Sequence, residues 1–466
     1  MNFTILTMGC KVNQYESQAM EQWLRERGHV EVGPGEDFDL AIVNTCTVTA
    51  VADKKNRNVI RRLRKQRPEA VLAVCGCYSQ VKPEDVRALG VDVISGSGGR
   101  EAFLELVLAA AADRQKREAL DEALRRRSFE ILPPGGLAAR TRAMLKVQDG
   151  CSNFCSYCII PYARGPVRSL PLEEALGQVR ELVEAGYREI VVTGIEIASW
   201  GVDLDKTGEL RLPRLLDGIC RTAGGVRIRL GSLEPRIVDE NFCRLLEGRE
   251  NLCPHFHLSM QSGSDAVLFR MRRKYDAARY LESVKLLKAH FPGCAVTTDM
   301  IVGFPGETEA EFAESLDFIR RCGFASMHVF PYSRRPGTPA DKMPGQLGNA
   351  VKEARSAAAI AVAAEMNRRF REDMIGTVQA VLFEETASAD GGTDPSTPLR
   401  SAQNDTPAGT GVACPPLPEP AELWTGHAPN SIRVYAPGEA LHNQVLPVRI
   451  AGLYEDGVIG VIENMA

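Results

Sequence analysis

The stretch LKVQDGCSNFCSYC, residues 145–158, joins an apolar segment to a tight loop that carries three cysteines. Its pattern predicts a β-strand over residues 143–149, so Cys151, Cys155 and Cys158 follow the carboxyl end of that strand. Active sites of parallel barrels form at this end of the strands. Three clustered thiolates suit an iron–sulfur cluster or zinc, and three ligands leave one coordination position open, whereas a closed structural site needs four.

Five further strand patterns follow, and helical patterns separate them. Repeated βα units with right-handed crossovers build a parallel barrel, and six of them make one that stays open along one side. We therefore predict an α/β chain whose residues 137–372 form a partial (β/α)6 barrel. The additional strands are predicted at residues 189–194, 226–231, 255–260, 295–303 and 325–331.

The first 110 residues predict a separate α/β domain with a doubly wound parallel sheet. Buried strand patterns at 3–9, 40–46, 70–76 and 91–96 alternate with helical patterns at 14–28 and 49–66. Cys10, Cys46 and Cys77 each come just after one of these strands, so they are expected to converge on one edge of the sheet. Cys75 is an alternative to Cys77, because alternate residues of a strand share a face.

The remaining segments predict a linker and a third domain. Residues 111–136 are expected to form a linker helix that ends in a Pro-Pro-Gly-Gly turn. Strand patterns at 375–383 and 445–462 predict a small all-β barrel over 373–466. Residues 386–422 are rich in Ser, Thr, Pro, Gly, Ala and Asp and predict a disordered insertion, so Cys414 inside it is excluded from any metal site.

The composition describes a globular protein without a membrane segment. Hydrophobic residues make up 44% and charged residues 25%, and the formal net charge of -4 indicates no global basic field. Neither a signal peptide nor a long apolar run is visible, so a cytoplasmic location is expected. Thirteen cysteines in a reducing compartment favour metal binding or chemistry over disulfides. Five others lack mutual spacing and are interpreted as core residues: Cys220, Cys243, Cys253, Cys294 and Cys322.

The cysteine loop, with Tyr157 before its last cysteine, resembles that of the radical S-adenosylmethionine enzymes. Other motifs are similar to one branch of that superfamily, the methylthiotransferases. These are TMGCKVNQYES (7–17), NTCTV (44–48), CGCYSQ (75–80), GCSNFCSYCIIPYARGPVRS (150–169), LSMQSGSDAVLFRMRRKY (258–275) and TTDMIVGFPGETEAEF (297–312). The resemblance covers nearly the whole chain apart from residues 386–422, and the C-terminal strands resemble the family's RNA-binding TRAM barrel.

The resemblance implies two 4Fe–4S clusters and S-adenosylmethionine as cofactors. It assigns Cys151, Cys155 and Cys158 to the cluster that cleaves S-adenosylmethionine. It assigns Cys10, Cys46 and Cys77 to a second cluster, with Cys77 preferred over Cys75 because the family pattern is a Gly-Cys pair. An unidentified electron donor is also implied.

The implied substrate is tRNA. Lys11, together with SRRPGTPA (333–340), is most similar to the branch that acts on N6-threonylcarbamoyladenosine beside the anticodon. Alternatives are the same chemistry on isopentenyladenosine or on a ribosomal-protein aspartate. A non-catalytic iron–sulfur RNA-binding protein and a zinc-stabilised barrel are alternatives from other classes.

Loop residues after the barrel strands are candidate contacts to S-adenosylmethionine, although solvated loop ends or surface charge would also explain them. The candidates are Tyr157, Gly194, Glu234, Gln261, Arg272 and Gly303. Glu196 also lies there, without an assigned role. A helix from Lys54 to Arg67 carries eight cationic side chains, which favour RNA phosphates or simply a solvated face.

Overall fold

The computed structural model describes residues 1–33, 35–134, 141–387 and 422–463. Its N-terminal part is a parallel sheet of order β2-β1-β3-β4-β5-β6. The strands are β1 (Asn2–Thr7), β2 (Val30–Glu31), β3 (Leu40–Thr45), β4 (Val71–Gly76), β5 (Val93–Ser95) and β6 (Arg117–Ala119). The helices are α1 (Lys11–Glu26), α2 (Ala50–Gln66), α3 (Cys77–Val81), α4 (Pro83–Arg87) and α5 (Arg100–Asp113).

The predicted linker helix over 111–136 is wrong within the described residues. Helix α5 ends at Asp113, where Arg114 takes a left-handed conformation with φ 61°. Residues 117–119 then form β6, which pairs with β5, and only a single 3-10 turn follows at Ala123–Arg125. Because β6 pairs with β5, the backbone N–H and C=O groups on that edge of β5 gain hydrogen-bond partners, which a continued helix would not provide. This tertiary contact overrides the local preference for a helix.

The central part confirms the partial barrel. Its strands form two sheets, of order β10-β9-β7-β8 and β11-β12-β13, which isolated parallel bridges join at Ile228–Leu252 and Leu233–Leu258. The strands are β7 (Arg142–Asp149), β8 (Arg168–Ser169), β9 (Glu189–Gly194), β10 (Arg227–Leu230), β11 (His255–His257), β12 (Ala295–Val302) and β13 (Ser326–Pro331). The helices are α6 (Ile160–Arg164), α7 (Leu172–Glu184), α8 (Leu212–Ala223), α9 (Glu240–Leu246), α10 (Asp265–Arg270), α11 (Ala277–His290), α12 (Glu309–Cys322) and α13 (Asn349–Glu372).

Strand alternation divides the barrel into an apolar outer layer and a polar interior. Leu145, Ile228 and Val296 belong to the core shared with the surrounding helices. Their neighbours along each strand point the other way, as the pleat requires. These inward residues include Lys146, Arg229 and Thr297, so the open side of the barrel leads into a polar lumen.

The C-terminal part is a closed barrel of order β14-β15-β16-β18-β17, which confirms the predicted all-β unit. Its strands are β14 (Val378–Thr386), β15 (Leu423–His427), β16 (Arg433–Pro437), β17 (Val445–Tyr454) and β18 (Gly457–Ile462). Strands β15 and β16 were not predicted. The predicted insertion at 386–422 lies outside the described residues except at its ends. Across the described ranges, no helix combines the length and apolar character that a membrane crossing requires.

Candidate active site between two cysteine trios

The first trio, Cys151, Cys155 and Cys158, lies in the loop between β7 and α6. Gly150 begins this loop at φ 74°, and a Cβ there would lie 1.9 Å from the carbonyl oxygen of Pro166. Only glycine permits this close return of the chain. The Cys151 N–H donates to the carbonyl of Gly165 at 3.0 Å, which holds the loop closed.

The thiols of the first trio lie in a poorly solvated setting. Burial raises the pKa of Cys151 to about 11 and that of Cys158 to about 12. Thiols bind metal as thiolates, so metal binding here would release protons. The Arg273 guanidinium donates to the Cys155 sulfur at 3.2 Å.

Sequence reasoning missed Arg273 and selected its neighbour Arg272. Arg272 is exposed, and its φ of 58° turns the chain after α10. This turn directs the next side chain, Arg273, toward the cysteine loop. The cofactor-binding role of Arg272 stays a prediction. No sequence pattern distinguished the two arginines, because the residues RMRRK (270–274) give no sign of a left-handed turn.

The second trio, Cys10, Cys46 and Cys77, lies where β1, β3 and β4 end. Cys10 directly precedes α1, and Cys77 is the first residue of α3. A Cβ on Gly9 would lie 2.4 Å from the Cβ of Cys46, so Gly9 lets the two loops touch. Each thiol lies within electrostatic reach of the other two.

Cys75, the rival of Cys77, belongs to β4, and its side chain packs on the face of the sheet that α5 covers. It is fully buried in the apolar cluster that contains Phe103 and Leu104 of α5. Burial raises its pKa to about 11. Gly76, with φ 105°, separates the two cysteines, so the strand's alternation ends before Cys77.

Arg164 links the two trios. It ends α6, just after the first trio, and its Nε donates to the Cys77 sulfur at 3.2 Å. Its Nη2 donates to Asn13 Oδ1 at 2.6 Å, and it pairs with Glu16 of α1. The side chain is fully buried, so the N-terminal sheet and the partial barrel share one interior site.

Buried charges around Arg164 are paired. Glu16 also contacts Arg100 at 2.9 Å and Lys146 at 3.1 Å. Burial raises the pKa of Glu16, but Arg164, Arg100 and Lys146 lower it well below its ordinary value. The ionised carboxylate therefore ties α1 to α5, α6 and β7.

A cavity of about 580 Å³ opens beside the first trio. Two carboxylates, Glu196 and Glu234, line it together with Ser152 and Asn153 of the cysteine loop. Burial raises the pKa of Glu196, whose carboxylate accepts from Ser199. The Glu234 carboxylate accepts from Arg236 Nε at 2.8 Å. A polar cavity of this size, beside three thiols, suits a small polar molecule.

The other predicted contact residues lie near this edge of the barrel, and the structure gives several of them packing roles. Gly303 has φ 71°, and its N–H donates to Glu307 Oε2 at 2.7 Å. Gly194 ends β9, where a Cβ would lie 2.8 Å from the carbonyl oxygen of Gln148. Gln261, at φ 70°, extends the pairing with β12 through its backbone. Tyr157 packs edge-on against Phe304. Contacts of these residues with a cofactor stay predictions.

The donor set of both trios fits a cluster of several irons. In a cubane cluster each thiolate binds a different iron, so the sulfurs lie farther apart than ligands of one ion. Within the described part of the chain, no three His, Cys, Asp or Glu side chains are grouped to hold a single metal ion. Yet the thiols of each trio lie within electrostatic range of one another.

The lumen below the trios carries several titratable side chains. Asp299 lies between two histidines, 3.3 Å from His257 Nε2 and 3.3 Å from His328 Nδ1. Thr297 Oγ1 lies 3.0 Å from His257 Nδ1 and 3.3 Å from His255 Nε2.

Two family matches divide the chain as the trios do. Residues 145–319 match the Radical SAM superfamily, and residues 2–96 match the family described as "Uncharacterized protein family UPF0004". The first match contains Cys151, Cys155 and Cys158, and the second contains Cys10, Cys46 and Cys77.

Curated relatives match over most of their length. The chain is 41% identical over 380 residues to "Threonylcarbamoyladenosine tRNA methylthiotransferase MtaB" of Bacillus subtilis, covering 81% of this chain and 84% of that protein. It is 36% identical to the protein of the same name from Thermotoga maritima, covering 82% and 86%. It is 34% identical to "tRNA-2-methylthio-N(6)-dimethylallyladenosine synthase" of Maricaulis maris, covering 87% and 91%.

A solved structure shows a related fold. The radical S-adenosylmethionine methyltransferase TsrM from Kitasatospora setae, with tryptophan and a S-adenosylmethionine analogue bound, superposes with a TM-score of 0.53 at 17% identity. The match covers 84% of this chain and 79% of TsrM. At this identity the likeness concerns the fold alone.

Proposed function

The chain belongs to the radical S-adenosylmethionine methylthiotransferases, and from this premise we infer that it adds a methylthio group to C2 of N6-threonylcarbamoyladenosine in tRNA, beside the anticodon. The observation that carries this inference is the group of relatives named for that activity, at 32–41% identity over most of the chain. Relatives named for dimethylallyladenosine match at 32–34%, so isopentenyladenosine is the second candidate. Nothing favours a ribosomal-protein aspartate.

Two 4Fe–4S clusters and S-adenosylmethionine are the cofactors of this family. Cys151, Cys155 and Cys158 would hold the cluster that binds S-adenosylmethionine, and Cys10, Cys46 and Cys77 would hold the second. When bound, these groups supply the radical that activates the adenine C2–H bond and the sulfur that is transferred. The protein's contribution is to orient the reactants between the trios and to exclude water.

The cavity beside the first trio supports a place for S-adenosylmethionine. Glu196 and Glu234 offer carboxylates to an ammonium or a ribose hydroxyl, and Arg273 donates to the Cys155 sulfur. Tyr157, Gly194, Gln261, Arg272 and Gly303 remain proposed contacts. An electron donor must supply the reducing electron, and we place the enzyme in the cytoplasm, where its tRNA substrate is found.

The C-terminal barrel and the basic face of α2 are proposed to bind the tRNA. Phosphate contacts position a nucleic acid, and cationic side chains supply them. Lys54, Arg61, Arg62 and Lys65 are all exposed on α2.

Nucleoside analysis of tRNA from a deletion strain tests the proposed function. We expect the threonylcarbamoyl nucleoside to accumulate without its methylthio group, and plasmid-borne wild-type protein to restore it. A variant with alanine at Cys151, Cys155 and Cys158 is the matched control and should not restore it. Normal methylthiolation in the deletion strain would refute the substrate assignment.

Reconstituted protein separates the remaining alternatives. A two-cluster enzyme should contain about eight irons per chain and release 5′-deoxyadenosine under reduction. A non-catalytic RNA-binding protein would release none, and a zinc-stabilised barrel would contain zinc without iron.

A further inference from the structure

The lumen of the partial barrel holds charges that are almost all paired. Glu189 pairs with both Arg227 and Arg229. Arg142 pairs with Glu384 of the C-terminal barrel, and Asp299 lies between two histidines. Pairing is what a poorly solvated interior demands, because an isolated charge there is costly.

Lys11 is the exception. It is the first residue of α1, directly after Cys10, and its side chain is half-buried. Helix α1 packs against β7 and β9 of the barrel, and the Lys11 side chain lies within electrostatic range of Arg229, Arg142 and Glu189 in the lumen. Among the described residues its ammonium has neither a hydrogen-bond acceptor nor an ion-pair partner, since Glu189 is already held by two arginines.

His255 marks the same part of the lumen. Its Nε2 lies near Thr297, but its Nδ1 is buried without a hydrogen-bond partner in the described structure. His255 and Lys11 lie within electrostatic range of each other. An unpaired ammonium and an unpartnered imidazole nitrogen therefore face one interior space next to the second trio. Buried polar groups in native proteins are nearly always satisfied, so the buried His255 nitrogen beside the Lys11 ammonium fits a polar ligand.

The required ligand is an anion with hydrogen-bonding oxygens. Arg142, Arg229 and Lys11 make the surroundings cationic, and such surroundings favour a carboxylate. Resting on the proposed function, we propose that Lys11, assisted by His255, binds the carboxylate of the threonylcarbamoyl group and thereby selects this substrate. An isopentenyl group has no carboxylate and would leave the Lys11 ammonium unpaired. The enzyme should therefore discriminate strongly against isopentenyladenosine.

A comparison of two RNA substrates tests the pairing directly. The first is an anticodon stem-loop with N6-threonylcarbamoyladenosine, and the second is the same RNA with the carboxylate converted to a carboxamide. Loss of a charge-assisted hydrogen bond should lower kcat/KM of the wild-type holoenzyme for the amide by about 10- to 100-fold. Equal use of acid and amide by the wild type would overturn the proposal without any variant.

Two variants assign the effect to Lys11. The Lys11→Met enzyme should treat acid and amide RNA alike, whereas Lys11→Arg keeps the charge and should retain most of the preference for the acid. Iron content of each variant, measured beforehand, shows whether the neighbouring Cys10 still holds its cluster. A wild-type acid preference that persists undiminished in Lys11→Met would assign recognition elsewhere. Failure of the wild type to modify the acid RNA at all would instead refute the proposed function.

Discussion

Arg164 is the residue through which the two halves of the site meet. Its guanidinium contacts Cys77, Asn13 and Glu16, all from the N-terminal domain, although it belongs to the loop region of the first trio. The sequence motif that contains Arg164 predicted no role for it. A buried arginine at the end of a short helix has no sequence pattern that distinguishes it from an exposed one.

Replacing Arg164 with methionine should destabilise the protein. The change leaves the buried Glu16 carboxylate without one of its three cations, and we expect a loss of about 3 kcal/mol in the free energy of unfolding. Urea denaturation of anaerobic protein measures it. Arg125→Met is the matched control, because the Arg125 side chain is 79% exposed and pairs only at the surface. A change of less than about 1 kcal/mol in Arg164→Met would contradict the buried-network account.

The surroundings of Cys75 and Cys77 in the structure distinguish the two cysteines, whereas their spacing in the sequence does not. Cys77→Ser should remove one ligand of the second trio and lower the iron content from about eight toward about four per chain. Cys75→Ser should keep the iron content of the wild type, because the Cys75 side chain packs against α5. Iron and sulfide analysis of both variants measures the difference. Equal iron loss in the two variants would show that Cys75 is a ligand.

Both trios could be predicted because their cysteines follow strand patterns directly. Cys10, Cys46 and Cys77 come from distant segments, yet parallel strands bring their carboxyl ends to one edge. The contacts of Arg273 and Arg164 were beyond prediction, since each depends on a turn geometry and on packing between domains. The orientation of Lys11 into the lumen also depends on how α1 meets the barrel.

At the scale of the element, α2 has two different faces. Ile60 and Leu63 are buried in the core of the N-terminal domain, whereas Arg61, Arg62 and Lys65 are exposed. Amphipathic spacing predicted this helix within two residues of its observed ends. Periodicity succeeds for such elements because one face must be buried.

Charge reversal on α2 should weaken tRNA binding without affecting the fold. In the variant with glutamate at Arg61, Arg62 and Lys65, we expect a lower affinity for tRNA. The slope of log K against log salt concentration should also be shallower, by an amount that corresponds to the loss of about two to three phosphate contacts. Binding titrations at several salt concentrations measure both. Glutamate at Arg180, Arg221 and Arg244, on the outer helices of the barrel, is the control for net charge. Equal losses in both triple variants would show that α2 provides no specific surface.

A short strand, β6, takes the place of part of the helix predicted over 111–136. Alanine-rich sequence favours a helix, but β6 needs only three residues to complete the edge of a sheet. Strands this short carry too little periodicity to be recognised. Strands β15 and β16 were missed because they follow a long low-complexity stretch, which separates them from the pattern of β14.

At the scale of the whole molecule, the C-terminal barrel covers one end of the lumen. Arg229 donates to the carbonyl oxygens of Ala428 and Pro429, and Arg227 donates to that of Ala380. Glu189 holds both arginines in place. These contacts hold the C-terminal barrel against β10 of the partial barrel.

The stability of this contact should depend on pH through Glu384. Burial raises the pKa of Glu384, but His427 and Arg142 outweigh burial and lower it to about 2 from an ordinary value of 4.5. A carboxylate with a lowered pKa stabilises the fold fully above the unfolded value, and this contribution is lost as the pH falls from about 4.5 through about 2. The contribution at neutral pH is about 3 kcal/mol at most.

Glu384→Gln should therefore lower the free energy of unfolding at pH 7, and its deficit relative to the wild type should shrink as the pH falls from about 4.5 to about 3. The reason is that the wild-type carboxylate gains a proton on unfolding in this range, whereas glutamine does not. Urea midpoints at stepped pH values measure the convergence. Glu353→Gln, at an exposed position of α13, supplies a control that should follow the wild type throughout. A deficit that is independent of pH would mean that Glu384 stabilises the interface by shape and hydrogen bonding rather than by its charge.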